Sequence, residues 1–314
     1  MSELSTYSAP AHAGMQFTKR IHNKAEGPTD PNNIKLPSHF TVVVTGAGKG
    51  LGYAIAVAYV KAGAGGISIS SNTQSDLDKL KAELESINPK VKVITNICDT
   101  RKDSDVKKLS EDVKATFGRV DVVVANAGII SKYLIESDGR RKIPQGVVED
   151  DDFERVIDVN LTGSRRTAKY FVPLLRDTRD GAKTFIVITS MAAHSTDSML
   201  VSEAYILSKI ANNRMAELIH NDHYEKDGIL AYAVHPGAVL TPQTQGHSNE
   251  KGDIWEQILS DDVGLCGGFL TWLTSERRPW LSGRYISVNW DTEELEAMKD
   301  EIVKTDKLKM RMVV

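Results

Sequence analysis

Cysteine is nearly absent. The 314-residue chain has two, Cys98 and Cys266, each in or beside an apolar run, which argues against a disulfide framework and for a reducing compartment. Long hydrophobic runs are missing as well. No uninterrupted apolar stretch approaches the roughly 18 residues that a membrane-spanning helix needs, and the N-terminus carries no apolar signal core, so a cytoplasmic protein with no membrane partner is expected. Neither sign of charge dominates: 39 Lys and Arg stand against 42 Asp and Glu, a net charge of −3, which gives no basis for a nucleic-acid partner. What remains is an ordinary globular composition, 41% hydrophobic and 26% charged, with room for one large α/β domain.

Residues 1–38 are rich in Ser, Ala, Asn and charge and are broken by Pro10, Pro28, Pro31 and Pro37. They are expected to form an extension, partly disordered or wrapped over the surface. A domain over 39–292 follows, then a charged, helix-prone C-terminal extension over 293–314. Within the domain, short apolar runs rich in β-branched residues recur at 41–45, 67–70, 91–97, 121–125, 184–189, 229–235 and 284–288, with helix-length segments between most of them. Continuous apolar strands alternating with helices predict a doubly wound parallel sheet of about seven strands, covered on both faces. The polar stretch 131–150 reads as an inserted loop.

Two motifs carry chemistry. Gly46, Gly50 and Gly52 follow the first strand and open the first helix, where backbone N–H groups and the helix N-terminus favour a pyrophosphate. A triphosphate loop fits less well, because Lys49 is followed by Gly50 instead of Ser or Thr. The second motif is Tyr205 and Lys209, four residues apart and fifteen after Ser190. Positions i and i+4 share a helix face, so the ammonium is expected to lower the phenol from its usual pKa of about 10 toward neutrality, as a proton donor or acceptor requires. Ser195, Ser198 and Ser202 compete with Ser190, which is preferred because it closes the apolar run 184–189. His194 receives no role. Asp150, Asp151 and Asp152 read as a helix N-terminal charge cluster, with no metal site expected.

In this order, Thr45-Gly46-(x)3-Gly50-Leu51-Gly52, Asp99, Asn126-Ala127-Gly128, Asn160, Ser190, Tyr205, Lys209 and the run from Pro236 to Thr241 resemble a short-chain dehydrogenase/reductase over about residues 40–290, and the ending near Tyr285 is similar to that of fungal members. The resemblance implies a Rossmann-type single domain, a nicotinamide cofactor and reversible hydride transfer between a small-molecule alcohol and a carbonyl. It implies further that Asp99 holds the adenine, Asn126 and Gly128 line the adenosine ribose, and Val239 and Thr241 receive the carboxamide and pyrophosphate. Tyr205 would be the general acid or base, Lys209 would lower its pKa and hold ribose hydroxyls, Ser190 would bind the substrate oxygen, and Asn160 would anchor a water linking Lys209 to solvent.

The second strand ends in Ser70-Ser71-Asn72-Thr73, without the carboxylate that would repel a 2′-phosphate, while Lys49 could attract one. NADP(H) is favoured over NAD(H), with Asn72 where an adenine-stacking Arg often stands. Substrate contacts are expected from 131–150, 191–204 and 242–262, where Met199, Leu200, Ile254 and Trp255 suggest an apolar wall or a core under a lid. A homodimer or homotetramer is expected through the apolar helix 152–176 and the helix bearing Tyr205. The competing function class is a non-catalytic NADP(H)-binding sensor or scaffold, which would not need Asn160, Ser190, Tyr205 and Lys209 together.

Overall fold

The computed structural model describes residues 11–312 apart from Gly252 and the side chain of Ile254; expectations for residues 1–10 and for that side chain lie outside the described residues. Seven strands form the main sheet: β1 (Thr41–Val44), β2 (Gly66–Ser71), β3 (Lys92–Ile97), β4 (Val122–Ala125), β5 (Thr184–Ile188), β6 (Leu230–His235) and β7 (Arg284–Ser287). All pair in parallel, in the order β3-β2-β1-β4-β5-β6-β7. Val42 lies between Ile67 and Val122 in register, so β-branched side chains of neighbouring strands stack on the pleat.

Alternation along each strand feeds two cores. Val42 and Val44 point to one face, packed with Ile55 and Tyr59 of α1 (Gly50–Lys61), Leu77 and Leu80 of α2 (Gln74–Ile87), and Phe269 and Leu273 of a further helix. Val43 points to the other, with Val106 and Leu109 of α3 (Asp103–Phe117), Phe171 and Leu175 of α4 (Gly163–Asp177), and Ala216 and Ile219 of α5 (Glu203–Asp227). The helix completing the first layer is α6 (Gly264–Ser275). Strand order reverses at β1 and β4, so the loops leaving their C-terminal ends diverge and open a crevice.

The chain before β1 lies against the end of the domain. Ile21 bridges antiparallel to Trp290, the His22 N–H donates to Asn289 O at 2.8 Å, and Arg20 reaches Asp291 at 2.8 Å and Glu294 at 3.1 Å. Beyond β7, short helices Thr292–Ala297 and Lys299–Lys304 return the chain so that Leu308 O accepts the Tyr285 N–H at 2.9 Å. This places a covering segment along the β7 edge. Among the described residues no helix is long and apolar enough to cross a membrane.

Candidate active site

The turn from β1 into α1 depends on glycine. Gly46 has φ +65°, and a Cβ there would lie 2.8 Å from Ala127 Cα; one on Gly52 would lie 2.4 Å from Gly46 O. The turn is held by Asn126, whose Nδ2 donates to Thr45 O at 2.9 Å and Gly46 O at 3.1 Å, while Thr45 Oγ1 accepts from Asn126 N and Ala127 N, both at 3.1 Å. Asn126 thus ties the end of β4 to the glycine turn.

Above the crevice lies a cleft of about 490 Å³. It collects Gly46, Lys49, Gly50, Leu51 and Gly52 from the turn, Asn72 and Asp99 from the ends of β2 and β3, Asn126 and Gly128 after β4, Tyr205 and Lys209 from α5, and Thr241. Val239 is not among the lining residues; it is buried and bridged to Ser260 and Asp261.

On α5, Lys209 Nζ stands 5.2 Å from the Tyr205 ring centre and donates to Ile188 O at 2.8 Å. Burial pulls the Lys209 ammonium down to about 8 and pushes the Tyr205 phenol up to about 12, with the Ser190 hydroxyl pulling the other way. Loss of water around the ring raises the phenol, and Ser190, not Lys209, is the neighbour that opposes the rise. Ser190 leaves β5 and caps the 3₁₀ turn Met191–His194, its Oγ accepting from Ala192 N at 3.1 Å. Two of its three competitors are occupied elsewhere, Ser202 with Ser131 at 2.6 Å and Ser198 with the Gly146 N–H at 2.7 Å.

Asn160 lies in a π-helical turn, Asp158–Thr162, which joins Phe153–Ile157 to α4. Its side chain donates to Ile129 O at 2.9 Å and Ser208 Oγ at 3.1 Å and accepts from Ile129 N at 2.8 Å. Its carbonyl takes Ser164 Oγ at 2.7 Å and Asn212 Nδ2 at 3.1 Å. Both carbonyl lone pairs are thus used, and the side chain binds the loop after β4 to α5.

Two charge pairs at the cleft were not foreseen. Lys49 Nζ meets Asp76 Oδ2 at 3.1 Å, and Arg101 holds Asp99 at 2.7 Å, keeping that carboxyl below the usual carboxylate range. Arg101 follows Asp99 by two residues, a signal available in the sequence; Asp76 sits in the first turn of α2 and had none.

A family model described as short chain dehydrogenase matches residues 40–252. The chain belongs to that family. The "Short chain dehydrogenase pgmD" of Aspergillus terreus is 40% identical over 99% of both chains, and the "Short chain dehydrogenase pigC" of Monascus ruber is 36% identical over 68% of this chain and 66% of that protein. In fold, this dehydrogenase is similar to a short-chain dehydrogenase/reductase from Mycobacterium marinum (TM-score 0.68, 22% identity, covering 84% and 98%) and to levodione reductase (TM-score 0.67, 20% identity, covering 80% and 96%). It is accordingly an oxidoreductase of CH–OH or carbonyl groups using NAD(P)(H). The residues fit such a cofactor: the glycine turn, packed too tightly on Ala127 and Asn126 to admit a Cβ at Gly46 or Gly52, lines the cleft at the start of α1, where the helix dipole favours phosphate.

The loops that follow β4 and β6 are latched together. Asn249 exchanges two bonds with the backbone of Arg141, at 2.8 and 2.9 Å. The Tyr133 hydroxyl pairs with His247 Nδ1 at 3.0 Å, and His247 stacks on Trp255 at 4.6 Å; burial holds His247 down to about 4, hence neutral. Trp255 is thereby core beneath these loops. Asp150, placed by sequence at the start of its own helix, instead accepts the Ala204 N–H at 3.0 Å in the first turn of α5. His194, given no role by sequence, is partly buried with its ring edge-on to Tyr285 at 4.6 Å.

Proposed function

We propose that this dehydrogenase interconverts a small-molecule carbonyl and a secondary alcohol, using NADP(H) in preference to NAD(H). The observation that carries the reading is the convergence of Tyr205 and Lys209 with the glycine turn on one cleft, with Ser190 acting on the phenol. When bound, the nicotinamide supplies or accepts the hydride. In the reducing direction Tyr205 Oη gives its proton to the substrate oxygen, and a phenol pushed up to about 12 is fully protonated and ready as that donor near neutral pH. Ser190 Oγ donates to the same oxygen and stabilises the alkoxide as it forms. Lys209 spends one N–H on Ile188 O and keeps two for ribose hydroxyls. Asn160 holds the loop of Gly128 and Ile129 against α5.

The cofactor preference rests on the end of β2, where Ser70, Ser71, Asn72 and Thr73 offer no carboxylate, and on Lys49, which is largely exposed at the cleft. A 2′-phosphate would have to draw Lys49 away from Asp76, so the preference should be modest. Titration of NADPH and NADH against tryptophan fluorescence tests it, with tighter NADPH binding expected; equal or reversed affinity overturns it. A screen of carbonyl compounds, sugars, polyols and polyketide-like ketones, followed by cofactor absorbance, tests the reaction. No turnover by a protein that binds cofactor would favour a sensor or scaffold.

A further inference from the structure

A second cavity, of about 460 Å³, shares no lining residue with the cofactor cleft. It lies where the segment around Gly14 and Phe17 meets α5, β7 and residues 307–311, and its size is that of a small-molecule site. Its aromatic wall is a connected set: Phe17 lies 5.0 Å from Trp290, and Tyr285 lies 6.0 Å from Trp290. Its lining charge is unbalanced. Arg214, Lys307, Lys309 and Arg311 line it against Glu217 alone; Glu217 is shared by Arg214, Lys309 and Arg311, while Asp306 and Glu301, outside the lining, also take Lys309, Arg311 and Lys307.

The wall also leaves polar groups unanswered. Tyr285 and Asn213 are 6% and 7% exposed, yet Tyr285 Oη and Asn213 Oδ1 have no hydrogen-bond partner, and neither does His194 Nε2. Buried polar atoms are normally paired, and these three unpaired ones, each walled off from water, all belong to residues that line the cavity.

The geometry points to a second small-molecule site here, for a compact aromatic carboxylate. The ring packs against Phe17, Tyr285 and Trp290, and the anion takes the surplus of positive charge near Lys309 and Arg311. A neutral aromatic would leave that surplus unused, and a small inorganic anion would leave the aromatic wall open.

The test is calorimetric titration of 2-naphthoate into the full chain with NADP⁺ and NAD⁺ both saturating, so that the cofactor cleft is closed to the probe. Saturable binding with a Kd below about 1 mM is expected, at least about tenfold tighter than that of neutral 2-naphthamide. Lys309→Glu should weaken it at least about tenfold. Because that variant disturbs the ion pairs of the C-terminal segment, Tyr285→Phe serves as the second. It keeps the ring, removes only the unpartnered hydroxyl, and should raise the melting temperature of the ligand-free protein while weakening 2-naphthoate by about threefold or more. A wall residue with a merely structural role would not move these two readings in opposite directions. Absence of saturable binding, equal affinity for acid and amide, or binding indifferent to both variants would overturn the assignment.

Discussion

Lys209 keeps an ammonium almost wholly out of water, 3% exposed, with one backbone carbonyl as its recorded acceptor. That burial can be measured as a stability difference. Its folded pKa is about 8 against an ordinary 10.5, so folding disfavours its charged form. The cost is fully present below pH 8 and disappears as pH rises through the unfolded value. From pH 7 to 10 the wild type should therefore gain roughly 2 to 3 kcal/mol from this group, a gain absent in Lys209→Met. Urea melts of both proteins at the two pH values check it. Tyr205→Phe, which keeps the ring, should leave folding and cofactor affinity near wild type while turnover falls at least about 10²-fold on any substrate found in the screen; near-full activity would place the proton donor elsewhere. The Tyr205 and Lys209 pair was legible because i, i+4 spacing fixes a shared face. Lys49 with Asp76 was not, because a flexible lysine chooses its partner only after two elements have packed.

The glycine turn makes its prediction at the level of a strand, a helix and the loop between them. In Gly52→Ala the new methyl meets Gly46 O and Asn126 Nδ2 within 2.5 Å, neither of which can retreat without breaking the bonds that hold the turn. A loss of about 1 to 3 kcal/mol is expected, together with weakened cofactor binding; urea midpoints and cofactor titration report the two effects separately. The strands were readable because a parallel sheet buries both faces and leaves uninterrupted apolar runs, and observed ends such as Thr184–Ile188 fall close to those expected. The π-turn around Asn160 left no trace in composition, since one extra residue in a helical turn is decided by what its carbonyls find to bind. The latched loops were equally hidden. Arg141 and Asn249 lie 108 residues apart, and nothing local encodes their meeting.

For the molecule as a whole, Leu207 and Leu218 lie three helical turns apart on α5 and are 40% and 52% exposed. This stripe is the face through which a homo-oligomer should form. Sedimentation at micromolar concentration should show an oligomer for the wild type and a monomer for the double variant Leu207→Lys, Leu218→Lys; a wild-type monomer would refute the assembly. At the β7 edge the tail already supplies a cover, since Leu308 O takes the Tyr285 N–H. Proteolytic removal of the residues beyond Lys304 would uncover that backbone row and offer it to any extended chain nearby, so the same few residues that complete the fold also guard the finished molecule against association.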